Sequence, residues 1–433
     1  MSHSQFFLLK TKRFLPLFLT QFLGAFNDNV FKNALVILLT YQAAGKVSVD
    51  PRLLVTASAG VFILPFFLFS ALAGQMADKF EKSHMIRIVK FIEIPLMLTA
   101  ALGFYLENYW MLMGVLFCAG THSTFFGPLK YSILPDHLRE NELIGGNALV
   151  EAGTFLAILL GTIAGGVLIL RDGGITIVSV IITCVAAAGW VVSQQVPHAP
   201  EAEKNLKLNF NFIQETWHMI RQAMTERDVF LSIIGISWFW LVGFTFLAQF
   251  PIYAKDIIGA NEQIVTLFLT VFSVGIAMGS LICNRLLKGK VSGIYVPLGA
   301  FGMTAFIFSL WLVRPAAPPH ETLMGLADFF GTPESWLIIS SLLGIAVFGG
   351  IYIVPLYTIM QTRCEKSHRS RTIAANNIIN ALFMVLGAAV TMLMLKLDMQ
   401  VTDIFLTLGI VNIPVAFLVR RIVKVRRAAR QRG

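Results

Sequence analysis

Long apolar stretches, each close to the length of a membrane-spanning helix, follow one another along the whole chain. A helix needs about 20 predominantly apolar residues to cross a bilayer. Clusters of charged, glycine and proline residues separate twelve such stretches, which we expect at residues 14–41, 53–77, 85–106, 109–129, 142–170, 174–194, 229–254, 263–287, 292–313, 335–360, 372–396 and 400–420. The alternating segments of about ten residues that build a transmembrane barrel are not found, so the pattern predicts an all-α membrane protein.

Composition narrows the class of protein further. Hydrophobic residues make up 56% of the 433 residues and charged residues only 13%, whereas about a quarter of the residues in a soluble domain are charged. A soluble fold would leave much of this apolar surface in water, so we exclude it. The four cysteines lie far apart, which favours neither disulfides nor a metal cluster, and no metal or cofactor is expected.

The positions of the basic residues predict the topology. Loops on one side of the predicted spans hold 27 of the 34 Lys and Arg residues, in segments 1–13, 78–90, 130–140, 198–228, 285–290, 363–371 and 420–433. The opposite side holds 6, among them Lys46, Arg171 and Arg314, and Lys32 lies inside the first predicted span. Because cytoplasmic loops carry the excess of Lys and Arg, both termini are expected in the cytoplasm. The net charge of +10 therefore indicates topology, and no nucleic-acid partner is expected.

A long polar interruption in mid-chain indicates a linker between two bundles. It runs from about residue 195 to 228 and includes an amphipathic piece with Phe212, Trp217 and Ile220. It separates six predicted spans from six others, an arrangement typical of transporters built from two repeats. We therefore predict an N-terminal bundle at 1–194, a cytoplasmic linker at 195–228, and a C-terminal bundle with a basic cytoplasmic tail at 229–433.

Short repeats relate the two predicted halves. A glycine followed by a polar and a basic residue ends span two at residues 74–79 and span eight at residues 279–285. The start of span five aligns with that of span eleven, which places Asn147 opposite Asn376 and Glu151 opposite Asn380. Each match is short, but their order agrees in both halves. Parallel repeats of six spans resemble the major facilitator superfamily, which implies twelve transmembrane helices in two six-helix bundles.

The loop after span two adds to this resemblance. Its Gly-x-x-x-Asp-basic pattern ends in Asp78 and Lys79 and is similar to the superfamily's signature between spans two and three. In that family the loop gates the packing of the two halves, which implies gating roles for Asp78, Lys79 and the equivalent Arg285. The sequence departs from the pattern at Glu81, where a second glycine is usual.

The first apolar span contains an unusual polar group, formed by Asn27, Asp28, Asn29 and Lys32. An ionisable residue at membrane depth costs at least about 2.5–3.5 kcal/mol and usually faces a cavity or a partner. Asp28 and Lys32 are four residues apart and can neutralise each other on one helix face. The group either fixes helix packing or, in the functional interpretation, directs Asp28 into a polar cavity to bind a headgroup or a coupling cation.

A second polar group lies in span four. Lys130 and Tyr131 follow a Gly127-Pro128 break near the cytoplasmic end, and a lysine there suits an anionic phosphate. The alternative is a topology anchor. His122, in a polar patch just upstream, is either a titrating group or a hydrogen-bonded buried imidazole.

Further polar residues lie in spans five and eleven. Glu151 sits within an apolar helix, at a depth where a cavity-facing position is more plausible than a lipid-facing one. Asn376, Asn377 and Asn380 offer uncharged amide donors and acceptors from the other half. Hydrogen bonding between helices is the alternative for these amides.

Several segments resemble the bacterial lysophospholipid transporters of the major facilitator superfamily over nearly the whole chain. They are residues 21–29, 74–78, 128–134, 147–152, 163–168 and 354–361. The resemblance implies a flippase that moves lysophosphatidylethanolamine and related one-chain lipids from the outer to the inner leaflet of the inner membrane. It also implies a functional link to an acyltransferase/acyl-carrier-protein synthetase, which reacylates these lipids. We expect a monomer.

A hypothesis for the mechanism follows from the polar residues and this resemblance. In it, Asp28 and Glu151 meet the headgroup ammonium, and Lys130 meets the phosphate. The glycerol or phosphate oxygens are bound by the asparagines of span eleven, Asn376, Asn377 and Asn380. The headgroup stays in a central cavity during alternating access, while the acyl tail slides through a lateral opening.

The other classes of function are an enzyme, a different transporter and a non-transporting partner. Motifs of hydrolases, zinc proteases and phosphate-binding loops are not found in the chain, so an enzyme is not expected. A proton-coupled exporter of amphipathic drugs and a membrane scaffold for lipid-remodelling enzymes remain as alternatives.

Overall fold

The computed structural model of the protein describes residues 5–41, 51–313 and 323–422. Within these ranges it contains twelve α-helices of at least 17 residues. They are α1 (Leu15–Tyr41), α2 (Pro51–Lys79), α3 (Lys82–Tyr105), α4 (Tyr109–Ser132), α5 (Leu143–Leu168), α6 (Gly174–Ser193), α7 (Arg227–Ile252), α8 (Glu262–Leu287), α9 (Val296–Leu312), α10 (Pro333–Arg363), α11 (Arg369–Lys396) and α12 (Val401–Val419). The all-helical fold is therefore confirmed.

The helices begin and end within about four residues of the predicted spans. Ten helices among the described residues are long and apolar enough to cross a membrane, and α9 is a shorter apolar helix. The chain is thus a multi-pass membrane protein. Lys46, Arg314 and most of the predicted basic tail (423–433) lie outside the described residues.

Polar side chains at the start of several helices explain where these helices begin. The side-chain oxygen of Asn108 accepts from the backbone N–H of Met111 at 3.0 Å, and Asn261 does the same for Gln263 at 3.0 Å. Such a cap satisfies a donor that the first helical turn leaves unpaired.

The chain divides into two compact units. The first unit contains Met1–Gly146, Leu156–Glu226 and Gln361–Ala381. The second contains Asn147–Phe155, Arg227–Met360 and Leu382–Gly433. The start of α11 thus groups with the N-terminal helices, and the start of α5 with the C-terminal ones. The division by chain order at residues 194 and 229 stays a prediction.

Each unit has its own apolar core. The core of the first unit includes Val30, Phe31, Met97, Phe104, Leu112 and Ile182. The second unit is rich in packed aromatic rings, among them Phe246 stacked on Phe405 with 4.6 Å between ring centroids. A polar side chain inside such a core is costly unless it is hydrogen-bonded, so the polar groups inside α1, α3 and α4 require an explanation.

The linker between α6 and α7 contains an amphipathic helix, Phe212–Thr225, that packs against α2. Glu215, Met219 and Ala223 are buried on one side of it, whereas Trp217 on the other side is 69% exposed. The predicted amphipathic piece is therefore a helix with one buried face.

Candidate functional site

A cluster of buried polar side chains lies inside the first unit, where α1, α3 and α4 meet. Glu93 is its centre: one carboxylate oxygen accepts from the amide of Asn27 at 2.8 Å, and the other pairs with the ammonium of Lys90. The Nε2 atom of His122 lies 3.6 Å from the same oxygen. All four side chains are buried, so this cluster places an ion pair where water does not screen it.

Small residues make room for the lysine of this cluster. A Cβ atom built on Gly24 would lie 2.7 Å from Lys90 Nζ, and one on Gly189 would lie 3.2 Å from its Cε. The ammonium also lies 5.5 Å from the ring centroid of Phe126, close enough for a cation–π contact. Both glycines therefore pack closely against the Lys90 side chain.

Lys90 and Glu93 were missed at the level of sequence. Lys90 was counted with the loop segment 78–90 as a topology signal, and this assignment is wrong because its side chain is only 1% exposed inside α3. Glu93 lies within the predicted span 85–106, so the depth argument applied to Asp28 would have singled it out as well.

Asp28 lies beside this cluster and is half-buried. Its carboxylate accepts a hydrogen bond from the hydroxyl of Ser123 on α4 at 2.6 Å. The ammonium of Lys32 lies over the ring of Phe62, 4.5 Å from its centroid. Asp28 and Lys32 thus each contact a side chain of a neighbouring helix, α4 for Asp28 and α2 for Lys32.

The other amides of α1 serve helix packing. Asn29 donates to the carbonyl oxygen of Ala25 in its own helix at 2.8 Å. Asn33 donates to the hydroxyl of Thr162 on α5 at 3.2 Å. The structure therefore brings Asn27 and His122 together, places Asp28 beside them, and directs Asn29 to the backbone.

The end of α4 differs from its prediction. We expected a break at Gly127-Pro128, but α4 continues through Pro128 to Ser132. A proline removes one backbone donor and bends a helix, and neighbouring helices in a membrane bundle compensate for this loss. Lys130 therefore lies in the last turn of α4, with its ammonium 4.5 Å from the centroid of the Tyr131 ring.

The three asparagines of α11, Asn376, Asn377 and Asn380, belong to the first unit and have different environments. A Cβ atom on Gly127 would be 2.7 Å from the amide nitrogen of Asn377, one turn before Lys130. Asn376 is fully buried, and neither atom of its amide has a hydrogen-bond partner among the described residues. Asn380 is also buried. Among these asparagines, Asn376 is therefore the one whose buried amide lacks hydrogen-bond partners among the described residues.

Glu151 belongs to the second unit and is fully buried in α5. One turn before it, Asn147 donates to the hydroxyl of Thr358 at 3.1 Å. One turn after it, Phe155 stacks on Trp240 with 5.8 Å between centroids. Asn147, Glu151 and Phe155 share one face of α5, so this face packs on α7 and α10.

The predicted gating residue Asp78 contacts the start of α11. Its carboxylate accepts from the backbone N–H groups of Ser370 and Arg371 at 2.9 and 3.2 Å, and from Arg371 Nε at 3.0 Å. Asp78 therefore caps α11 from another helix, where the partial positive charge of a helix N-terminus favours a carboxylate. Lys79 lies 5.7 Å from the Phe80 ring centroid, and Arg285 is exposed at the end of α8.

A second ion-pair group lies beside this cap. Asp136 pairs with Lys82 at 3.0 Å and with Arg369 at 3.3 Å. From the sequence, Lys82, Arg369 and Arg371 are predicted only as topology signals. No local pattern marks them, because their acidic partners come from distant segments of the chain.

Glu81, which departs from the family signature, caps α3 and holds the following linker. It accepts from the backbone N–H groups of Ser83, His84 and Ala199 at 2.9, 2.7 and 2.8 Å. Burial alone would raise the pKa of Glu81, but these hydrogen bonds outweigh burial and lower it. The ionised Glu81 carboxylate therefore stabilises the folded protein at pH values above the pKa that Glu81 has in the unfolded chain. This stabilisation is lost as the pH falls through the lower pKa of Glu81 in the folded protein.

We expect the Glu81→Gln variant to lose about 1 kcal/mol of stability at neutral pH. The difference between variant and wild type should shrink as pH falls below about 4, because the wild-type acid is then protonated. Melting temperatures of both purified proteins between neutral and acid pH test this. A constant difference over that range would contradict the role of the ionised carboxylate.

Groups of three or more acidic, His or Cys side chains that could hold a metal ion are not found among the described residues. The described polar groups instead combine amides, hydroxyls and compensated charges. Such groups suit an organic ligand with charged and hydroxyl parts.

Comparisons with known proteins agree with the fold. A family model described as Major Facilitator Superfamily matches residues 17–388. Lysophospholipid transporters LplT of Escherichia coli O1:K1 / APEC and of Shigella sonnei (strain Ss046) are 27% identical to this chain over 390 residues, covering 88% of this chain and 88% of each relative. These relatives are transporters by name, not enzymes.

Solved structures show the same fold. The transporter FucP in the outward conformation superposes with a TM-score of 0.70 at 11% identity, covering 95% of this chain and 99% of that one. A bacterial homologue of the iron transporter ferroportin in the outward-facing state gives a TM-score of 0.66 at 12% identity, with the same coverage. At such identities the likeness extends to the fold alone.

Proposed function

Because the chain belongs to the major facilitator superfamily, we propose that it transports lysophospholipids. The substrates are lysophosphatidylethanolamine and related one-chain lipids. The protein flips them by alternating access from the outer to the inner leaflet of the bacterial inner membrane, with both termini in the cytoplasm. The similarity to LplT over most of the chain supports this assignment.

The observation that carries the proposal is the environment of the Asp28 carboxylate, which lies in the middle of an apolar helix. An ionised carboxylate offers about four acceptor positions, and the described residues supply one hydrogen bond to it, from Ser123. Glu93, by contrast, is neutralised by Lys90 within the bundle. Asp28 is also partly exposed, so its charge is available to a headgroup ammonium.

Lys130 and the amides of α11 extend this site within the first unit. Lys130 supplies a positive charge one turn from the contact between Gly127 and Asn377, which suits the headgroup phosphate. The amide of Asn376 has no hydrogen-bond partner among the described residues and is fully buried, so we propose that it meets the glycerol or phosphate oxygens once it becomes exposed in the transport cycle. A zwitterionic headgroup needs this combination of a carboxylate, a cation and neutral amides.

Glu151 has a separate role in the proposal. Its buried position among Asn147 and Phe155 on the packed face of α5 does not leave it open to a headgroup in this conformation. We propose that Glu151 meets the ammonium only in the conformation that follows substrate entry. The flipped lipid then becomes the substrate of an acyltransferase/acyl-carrier-protein synthetase, and the transporter acts as a monomer.

A flipping assay with the purified protein tests the proposal. Proteoliposomes receive fluorescent lysophosphatidylethanolamine, and albumin extracts the probe that remains in the outer leaflet. We expect a faster loss of extractable probe than in protein-free liposomes, whereas a diacyl lipid with the same headgroup should not move. Repeating the assay with other lysolipid headgroups, and with sodium or pH gradients, defines the substrate range and the coupling ion.

Three outcomes would contradict the proposal. Movement of an amphipathic dye without movement of any lysolipid would indicate a drug exporter. Lysolipid movement only after addition of an acyltransferase would indicate a scaffold. No movement of any probe by folded protein would exclude the transport function under these conditions.

A further inference from the structure

The segment that follows α6, residues 196–209, forms a strap along the end of α2. The backbone N–H of Asn209 donates to the Gln75 side chain at 2.7 Å, and Gln75 donates back to its carbonyl oxygen at 3.0 Å. Near the other end of the strap, the N–H of Ala199 donates to Glu81 at 2.8 Å. The strap is therefore held by Gln75 and by Glu81, which lie on either side of Asp78 in the chain.

The middle of the strap contacts the Asp78 cap directly. The N–H groups of Ala202 and Glu203 donate to the backbone carbonyl oxygen of Asp78 at 3.0 and 2.9 Å. The carboxylate of Glu203 accepts from Arg371 Nη2 at 2.6 Å, while Arg371 Nε donates to the Asp78 carboxylate at 3.0 Å. One guanidinium thus joins a carboxylate of α2 and a carboxylate of the strap.

We propose that Glu203 is a further gating residue, and that the strap is part of the latch formed by Asp78 and Arg371. The planar guanidinium has donors in fixed directions. With both carboxylates in place, Arg371 cannot rotate away from Asp78 without breaking a second charged hydrogen bond. The start of α11 separates from α2 only when Arg371 leaves both partners. This inference rests on the gating role of Asp78 in the proposed transporter.

The exposure of the two carboxylates sets the size of the expected effect. The Asp78 side chain is fully buried, whereas Glu203 is 38% exposed. A partly exposed ion pair contributes less than a buried one, about 0.4–1 kcal/mol. Loss of the Glu203 contact should therefore raise the open population about 2- to 5-fold and leave the buried Asp78 contact in place.

A native cysteine reports on this latch. Cys364 lies between α10 and α11, and its thiol donates to the carbonyl oxygen of Gln361 at 3.6 Å. Burial raises the pKa of the Cys364 thiol to about 11, despite the nearby charge of Arg369. A neutral thiol reacts slowly because the thiolate is the nucleophile. Cys364 is already partly exposed in this conformation, so we expect movement of the neighbouring start of α11 to expose the thiol further and to increase its reactivity.

The experiment measures maleimide labelling of Cys364 in the purified full-length protein in nanodiscs, with peptide mass spectrometry to separate this cysteine from the others. Glu203→Gln removes the charge of the strap residue. Glu201→Gln is the matched control, since Glu201 is an exposed acid of the same strap. We expect labelling about 2- to 5-fold faster in E203Q and unchanged in E201Q.

Two results would overturn the inference: wild-type labelling in E203Q, or equal acceleration in E203Q and E201Q. If E203Q does not yield folded protein, Glu203→Asp provides the same test, because the shorter side chain withdraws the carboxylate from Arg371. No lysophospholipid is present in this assay. A failure of the substrate assignment therefore does not affect its outcome.

Discussion

We expect the Asp28→Asn variant to lose lysophospholipid transport while remaining folded. The asparagine side chain has the same shape and can still accept the hydrogen bond from Ser123. It lacks the charge that the headgroup ammonium requires, and a hydrogen bond to a charged group contributes about 1.5–3 kcal/mol. The initial flipping rate at limiting substrate should therefore fall roughly 10- to 100-fold in the albumin-extraction assay.

The control for this variant is Asp172→Asn, which removes an exposed carboxylate from the turn between α5 and α6. This variant should flip the probe at the wild-type rate. Elution of each variant as a single peak with an unchanged melting temperature shows that folding is intact. Transport by D28N within about twofold of wild type would remove Asp28 from the substrate site and leave the fold assignment untouched.

Replacing Lys90 with methionine should be strongly destabilising, because it leaves Glu93 charged and unpaired inside the first unit. Removing one partner of a buried ion pair costs about 3–5 kcal/mol, whereas replacing both with apolar residues of similar size is often neutral. We therefore expect Lys90→Met to lower the melting temperature sharply and the double variant K90M/E93L to recover most of this loss. The hydrogen bond that Asn27 loses limits the recovery.

The pair of Arg13 and Glu142 provides the comparison for this experiment. These side chains are 32% and 22% exposed at a distance of 2.6 Å, so Arg13→Gln should cost less than about 1 kcal/mol. Thermal unfolding of all variants in the same detergent gives the ranking. If K90M and R13Q prove equally mild, the cluster does not hold an unscreened ion pair.

Sequence reasoning was most successful where one segment of chain contains all the information. The apolar length of each span and the charged or glycine-rich breaks between spans depend on residues that are neighbours in sequence, so the helices were located within about four residues. Asp28 was singled out for a similar reason, because the cost of a charge inside an apolar helix is a property of that helix.

The partners of the polar residues were not accessible to the same reasoning. Glu93 and His122 are 29 residues apart in the chain and meet between two helices, and Arg371 is 293 residues from its partner Asp78. Counting Lys90 and Arg371 as topology signals treated them as isolated charges. Their burial and pairing depend on which helices pack together.

The sequence by itself determined that this chain forms membrane-spanning helices, and roughly where each begins and ends, because the hydrophobic effect and backbone hydrogen bonding act within each span. Only the tertiary structure decided which charges are neutralised and which are available. The energy of a buried charge depends on the distance and direction of its partners, and these are set when helices from distant parts of the chain pack together. Asp28 beside Ser123 and Glu93 against Lys90 are both acids in apolar helices, and packing alone distinguishes them.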